Sequence, residues 1–218
     1  MRSGYHGGIM MAMRNWVSTL LLGLLLLPGA AGAAAAPAPL PALERVTVMA
    51  APRTIADFEL TDQNGRPRTL ASLRGAPTLI FFGFTYCPDV CPAALTKLKL
   101  LHESSGGALR AARVVMISVD GARDTPAVMK KYLASLSPDF IGLTGNPRTV
   151  ADIAARFSAV AFKEQPDQKG NYEYFHSRQV FLVDKVGRLR ASFADASLEN
   201  MATVTRLVLG EKGSEAGS

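Results

Sequence analysis

Residues 78–84 and 113–119 carry apolar side chains at almost every position and lack the polar alternation of a half-exposed strand. That pattern predicts two strands covered on both faces. After the first, Leu95, Leu98 and Leu101 (or Leu100) recur at helical spacing, in a helix that Pro92 can open and that ends before Gly106-Gly107. Val128, Met129, Tyr132, Leu133 and Leu136 form the apolar face of a second helix, with Thr125 as N-cap and Pro126 as its first residue. Asn146-Pro147 repeats that device before a helix reaching Phe157. Residues 58–66 read as a strand closing on the Asn64-Gly65 turn. Residues 179–183 and 188–193 flank Asp184-Lys185-Val186-Gly187 as a hairpin, and residues 198–209 form a closing amphipathic helix. Strands alternating with helices, then a hairpin and a last helix, describe an α/β sandwich: a mixed central β-sheet flanked by helices.

The polar stretches set the boundaries. From Trp16 to Leu27 the chain is almost wholly apolar, with Arg2 and Arg14 before it and Pro28-Gly29 and a run of alanines after it. This is the order of a secretory signal, and residues 17–36 also approach the length of a membrane helix. Residues 1–36 are therefore expected to be a signal peptide or an N-terminal membrane anchor. Either would put the protein in the periplasm, free or tethered to the inner membrane. Residues 37–53, rich in Ala and Pro, read as a tether. Residues 54–210 read as the folded domain, and residues 211–218 as a disordered tail. Without residues 1–36 the net charge falls from +6 to +4, because Arg2 and Arg14 leave with them. The remaining basic residues are dispersed (Arg110, Lys130, Lys163, Arg188), which excludes a nucleic-acid footprint.

The chemistry sits between the first buried strand and the first long helix. Cys87 and Cys91 are the only cysteines, in Tyr86-Cys87-Pro88-Asp89-Val90-Cys91-Pro92. A helix N-terminus offers free N–H groups and a positive dipole end, so lowered thiol pKa values are expected. A thiol pair at that point of the chain is where a thioredoxin-like fold keeps its active site. Two sulfurs one helical turn apart can face one soft ion, copper(I) or zinc, and still need a third ligand. A static disulfide there would close a tiny loop and stabilise little. Of the three histidines, His6 lies in the signal and His102 at the exposed end of the first helix. His176 remains, in a loop before residue 179 that such a fold lays against the thiols, and completes a Cys2His site. Met116, Met129 and Met201 read as core. Asp89 reads as solvated, while Asp120 ends the second buried strand within reach of the site as an outer-shell group. Both acids could equally be cap or turn residues.

On residues 84–92, on Ile117-Ser118-Val119-Asp120-Gly121-Ala122-Arg123-Asp124-Thr125-Pro126, and on His176-Ser177 with Val180 to Asp184, the chain resembles the Sco/SenC copper chaperones. That family delivers copper to the Cu(A) centre of cytochrome c oxidase. The resemblance covers residues 54–209. It implies a thioredoxin-like fold, copper(I) or copper(II) held by Cys87, Cys91 and His176, and a thiol pair that cycles with a disulfide. Asp120 holds the place of an acidic residue near the family's metal. The implied partners are the Cu(A)-bearing oxidase subunit and other copper chaperones or thiol reductants. Two departures stand out: Phe175 replaces the usual Asp before the histidine, and Gly121-Ala122 replaces Pro-Glu. A thiol–disulfide oxidoreductase that carries no copper is the competing reading, although Cys-x-x-Cys is the spacing of ordinary reductants and His176 would then be idle. A peroxidase would need polar partners for an activated cysteine that this sequence does not offer.

Overall fold

The computed structural model describes residues 39–211. The expected signal or anchor at residues 1–36 lies outside the described residues, as does the tail beyond 211. No described helix is long and apolar enough to cross a membrane. In chain order the strands are β1 (Val46–Thr54), β2 (Glu59–Asp62), β3 (Pro67–Thr69), β4 (Thr78–Gly83), β5 (Arg113–Ser118), β6 (Ile141–Thr144), β7 (Ala161–Lys163), β8 (Tyr174–His176), β9 (Val180–Val183) and β10 (Arg188–Phe193). The helices are α1 (Val90–Glu103), α2 (Pro126–Ala134), α3 (Pro147–Arg156) and α4 (Leu198–Gly210).

Eight strands make one mixed sheet in the order β1-β10-β9-β4-β5-β6-β2-β3, and β7 with β8 form a separate ribbon. The centre is β4, parallel to β5 and antiparallel to β9. Every residue of β4 and β9 is buried, as their unbroken apolar runs require. Successive β4 side chains point to opposite faces. Phe82 meets Phe157 and Phe181 edge-on on one side, while Phe81 meets the ring of His176 on the other. Thr125 and Asn146 cap α2 and α3 by accepting from the Val128 and Arg148 N–H groups, worth about 1 kcal/mol each. The methionines Met116, Met129 and Met201 are core residues.

Three local expectations give way to tertiary structure. The tether is shorter than 37–53, because residues 46–54 are strand β1, paired antiparallel with β10 at the sheet edge. Helix α1 begins at Val90, two residues before Pro92. His102 is buried, not exposed: its Nε2 lies 3.2 Å from the Arg110 carbonyl and 3.1 Å from that of Ala112, with Phe140 against the ring. It fastens the end of α1 to the approach of β5.

If β1 belongs to the domain, its removal must show in stability. A chain starting at residue 39 is expected to unfold at the same urea concentration as one starting at 37. A chain starting at residue 55 is expected to lose on the order of 3 kcal/mol through the apolar contacts of β1. Equal urea midpoints for all three would return these residues to the tether.

Candidate metal centre

Three elements meet at the site. The turn between β4 and α1 supplies Cys87, the second residue of α1 supplies Cys91, and the end of β8 supplies His176. The Cys91 main-chain N–H donates to Cys87 Sγ (3.4 Å), and Cys91 Sγ lies 3.4 Å from His176 Nε2. The two sulfurs and a histidine nitrogen all fall within 4.8 Å of one another, with Cys87 partly buried and the other two buried. His176 occupies a short strand rather than the loop expected for it.

Glycine makes the space for the inner sulfur. A Cβ at Gly83, the last residue of β4, would come 2.9 Å from Cys91 Sγ and 2.6 Å from Phe81 Cε1. Contacts that short do not occur without movement, so this position bears no side chain. Nothing in the sequence marks Gly83 as part of the site, because its neighbour is met only in three dimensions.

Burial decides the electrostatics. Cys91 is enclosed, and desolvation pushes its thiol far above the ordinary value although the Phe84 N–H pulls the other way. This reverses the expected lowering for Cys91: the helix start does not compensate for removing a thiolate from water. Desolvation also lowers the pKa of His176, more than its hydrogen bond to the Ser177 backbone raises it. The ring is therefore neutral at physiological pH. Its Nδ1 lies 3.1 Å from the Ser177 carbonyl, so Nδ1–H is the donor and Nε2 presents a lone pair to the sulfurs. Phe81 and Phe84 meet the ring edge-on, each at 5.8 Å.

Asp89 is exposed. Asp120 is buried, pairs with Arg123 Nε and accepts from the Tyr172 hydroxyl (3.3 Å). Among the described residues no hydrogen bond joins it to a sulfur or to His176. The carboxylate that reaches the thiol turn is Asp124, fully buried. It accepts from the Thr85 N–H (2.9 Å), the Thr85 hydroxyl and the Ser118 hydroxyl (2.6 Å). No local pattern marks Asp124, since its partner Thr85 lies 39 positions away.

Next to Asp124, Arg123 spans the rim. Its guanidinium carbon lies 4.7 Å from the Tyr86 ring centre and 4.0 Å from that of Tyr172, while Lys163 Nζ sits 3.5 Å from the Tyr172 ring. One side chain thus bridges the thiol turn and the segment leading to His176. Gly121 has a reason of its own: a Cβ there would fall 1.8 Å from the Gly145 carbonyl oxygen, so two backbones touch. Phe175 points away from the site, as strand alternation requires, and stacks on Phe162 at 5.1 Å. The Ser177 carbonyl accepts from His176 Nδ1–H.

On α2, Tyr132 stands beside the same turn. Burial, reinforced by the charges of Cys91, Cys87 and Asp124, pushes its phenol up to about 12.

The chain is similar to known proteins in sequence and in fold. The SCO1/SenC family model matches residues 47–208. An SCO2-like protein of Rickettsia prowazekii is 40% identical over 141 residues, 62% of this chain and 67% of that protein. A protein of Stutzerimonas stutzeri named as copper-binding is 34% identical over 171 residues, 77% of this chain and 83% of the other. The copper-bound structure of ScoI from Bradyrhizobium japonicum is 39% identical with a TM-score of 0.65, covering 72% of this chain and 99% of that one. The chain belongs to the SCO1/SenC family.

Proposed function

We propose that this protein binds one copper ion through Cys87, Cys91 and His176 and hands it to the Cu(A)-bearing subunit of cytochrome c oxidase. The observation that carries the reading is the convergence of two sulfurs and a neutral, correctly protonated imidazole within 4.8 Å. Two thiolates and an imidazole suit copper(I), and the set accepts copper(II) with an added ligand. The copper-bound relative and the relative named for copper binding support the choice of ion. Bound copper would offer a partner's thiolates an ion to exchange into. The protein's own part is to hold two sulfurs and Nε2 at one point, exclude water on the inner side, and leave Cys87 on the outer side where a partner's ligand can arrive. In this reading residues 1–36 carry the domain to the periplasm or hold it at the membrane that carries the oxidase.

A reductase role has one observation of its own: both cysteines are free, and their sulfurs lie close enough to bond after small movement. Cys87, the less buried, would attack a partner disulfide and form a mixed disulfide. Cys91 would then attack Cys87, closing the Cys87–Cys91 bond and releasing the partner as a dithiol. Two electrons pass to the partner, and its thiolates take up the protons that the pair gives up.

Titration with copper(I) is expected to saturate at about one ion per chain, with binding lost in Cys87→Ser and Cys91→Ser and weakened about tenfold or more in His176→Ala. Unchanged affinity in His176→Ala removes the three-ligand site. Dithiol exchange with a Cu(A) fragment at the wild-type rate in His176→Ala, with no copper transferred by either protein, favours the reductase.

The lowered pKa of His176 also makes a pH prediction. Below 6.5, the ordinary histidine value, the unfolded chain takes up a proton that the folded chain refuses. The unfolded state then binds more protons, so stability rises with pH up to about 6.5 and is level above it as far as this group is concerned. In the apo protein the urea midpoint is expected to fall on acidification below that value, more steeply for wild type than for His176→Gln. Parallel curves would show that the imidazole is not desolvated.

A further inference from the structure

Between the first turns of α1 and the start of β9 lies a groove of about 280 Å³, and none of the three ligands lines it. Its lining nevertheless joins both ligand-bearing segments. Asp89 and Val90 stand between Cys87 and Cys91 in the chain, and Arg178 follows His176 by two residues. Whatever fills the groove therefore sits beside both.

Val180, Phe193 and Met201, all buried, give the groove an apolar floor. On α1 its wall is Ala93, exposed, and Ala94, half-buried. Such short side chains leave room for another backbone to come close. Pockets that enclose a whole small ligand begin at about 300 Å³. A slightly smaller groove, apolar beneath and charged at its edge, suits a few side chains projecting from a larger body.

The charges along it are unequally matched. Lys97 and Asp195 pair at 2.7 Å, and Lys97 also donates to the Ala196 carbonyl. Asp89 is the N-cap of α1, where the positive helix end offsets a carboxylate. Arg178 has no such counterpart: it is exposed, and among the described residues no hydrogen bond or ion pair engages its guanidinium. The charge left uncompensated in the groove is thus a guanidinium, whose fork of N–H groups matches a carboxylate. Arginine beside an apolar patch is also what protein interfaces favour.

We infer that this groove docks the protein that receives the metal, taking a segment that sets a carboxylate on Arg178 and apolar side chains on Val180, Phe193 and Met201. The inference rests on the copper-transfer reading. Docking there brings the partner's thiolates beside Cys87, the least buried of the three ligands. No ligand of the site belongs to the groove, so docking and metal holding are separable in experiment.

The exported, copper(I)-loaded protein is titrated by calorimetry with a soluble Cu(A)-bearing fragment of the oxidase, as wild type, Arg178→Glu, Ala93→Trp and Arg148→Glu. Arg148 is exposed on α3 and controls for the same charge change elsewhere. Arg178→Glu is expected to weaken association about tenfold or more, because carboxylate then meets carboxylate. Ala93→Trp is expected to weaken it by filling the groove, whereas Arg148→Glu binds the fragment as wild type does. All four are expected to hold copper(I) equally well in competition with a chromophoric chelator.

Equal weakening by Arg178→Glu and Arg148→Glu would reduce the effect to net charge and overturn the inference. So would wild-type association in both groove variants; copper transfer at the wild-type rate in them would leave the three-ligand reading standing. A changed oligomeric state in these variants with fragment binding intact would give the groove to a second copy and overturn it too. A parallel loss of copper affinity would show that these residues serve the metal site instead. Wild-type protein that neither associates with the fragment nor passes copper to it overturns the proposed transfer together with the docking site.

Discussion

The site depends on enclosing one sulfur atom. Cys91 enters helix α1 beside the end of β4, where Gly83 offers no Cβ, Phe81 crowds the same spot, and His176 lies against the sulfur with Phe81 and Phe84 edge-on to its ring. Packing that tight raises the energy of an isolated thiolate, so the sulfur stays protonated until something positive arrives. The same desolvation keeps His176 neutral and its lone pair available. One physical cause therefore prepares both inner ligands for a cation. Cys87, on the wetter side, is left as the exchangeable position.

Around that core the chain invests hydrogen bonds in the turn rather than in the ligands. Asp124 grips Thr85, Ser118 ties Asp124 to the end of β5, and the Thr144 hydroxyl bonds the Asp124 carbonyl at 2.6 Å. The contact of Gly121 with Gly145 presses the same loop against the end of β6. The thiol turn is thus held from the β5–α2 side, by neighbours in space that lie far away in sequence. Under the proposed function this division of labour would suit an ion that is both held and passed on, since the scaffold keeps its shape while the ligands change partners.

What was legible in the sequence was local or periodic. The buried strands β4, β5 and β9 announced themselves by unbroken apolar runs, and α2 and α3 by their cap-and-proline pairs. Cys87 and Cys91 carried their own spacing, and His176 emerged once two of three histidines were set aside. Strand β1 was not legible: it lies at the sheet edge with half-exposed residues, and its register is broken between Val48 and Arg53. Its conformation comes from β10, not from its own pattern. Asp120 and Asp124 stand four residues apart in one loop, and only distant partners decide which one turns toward the thiols. Phe175, the residue before His176 on a strand, faces the other way, and the Ser177 carbonyl accepts from His176 Nδ1–H.

The clasp made by Arg123 separates two properties that a single cluster of ligands would confound. It lies on the Tyr86 and Tyr172 rings and pairs with Asp120, joining the thiol turn to the segment that leads to His176. Cation–ring contacts vary gently with distance and angle, so the two can part by a small amount and return without disturbing the floor. Under the proposed function, how tightly an ion sits would fall to the enclosed sulfur and imidazole, and how quickly it comes and goes to the contacts of Arg123. Speed and strength of capture would then rest on different side chains, each free to change without the other.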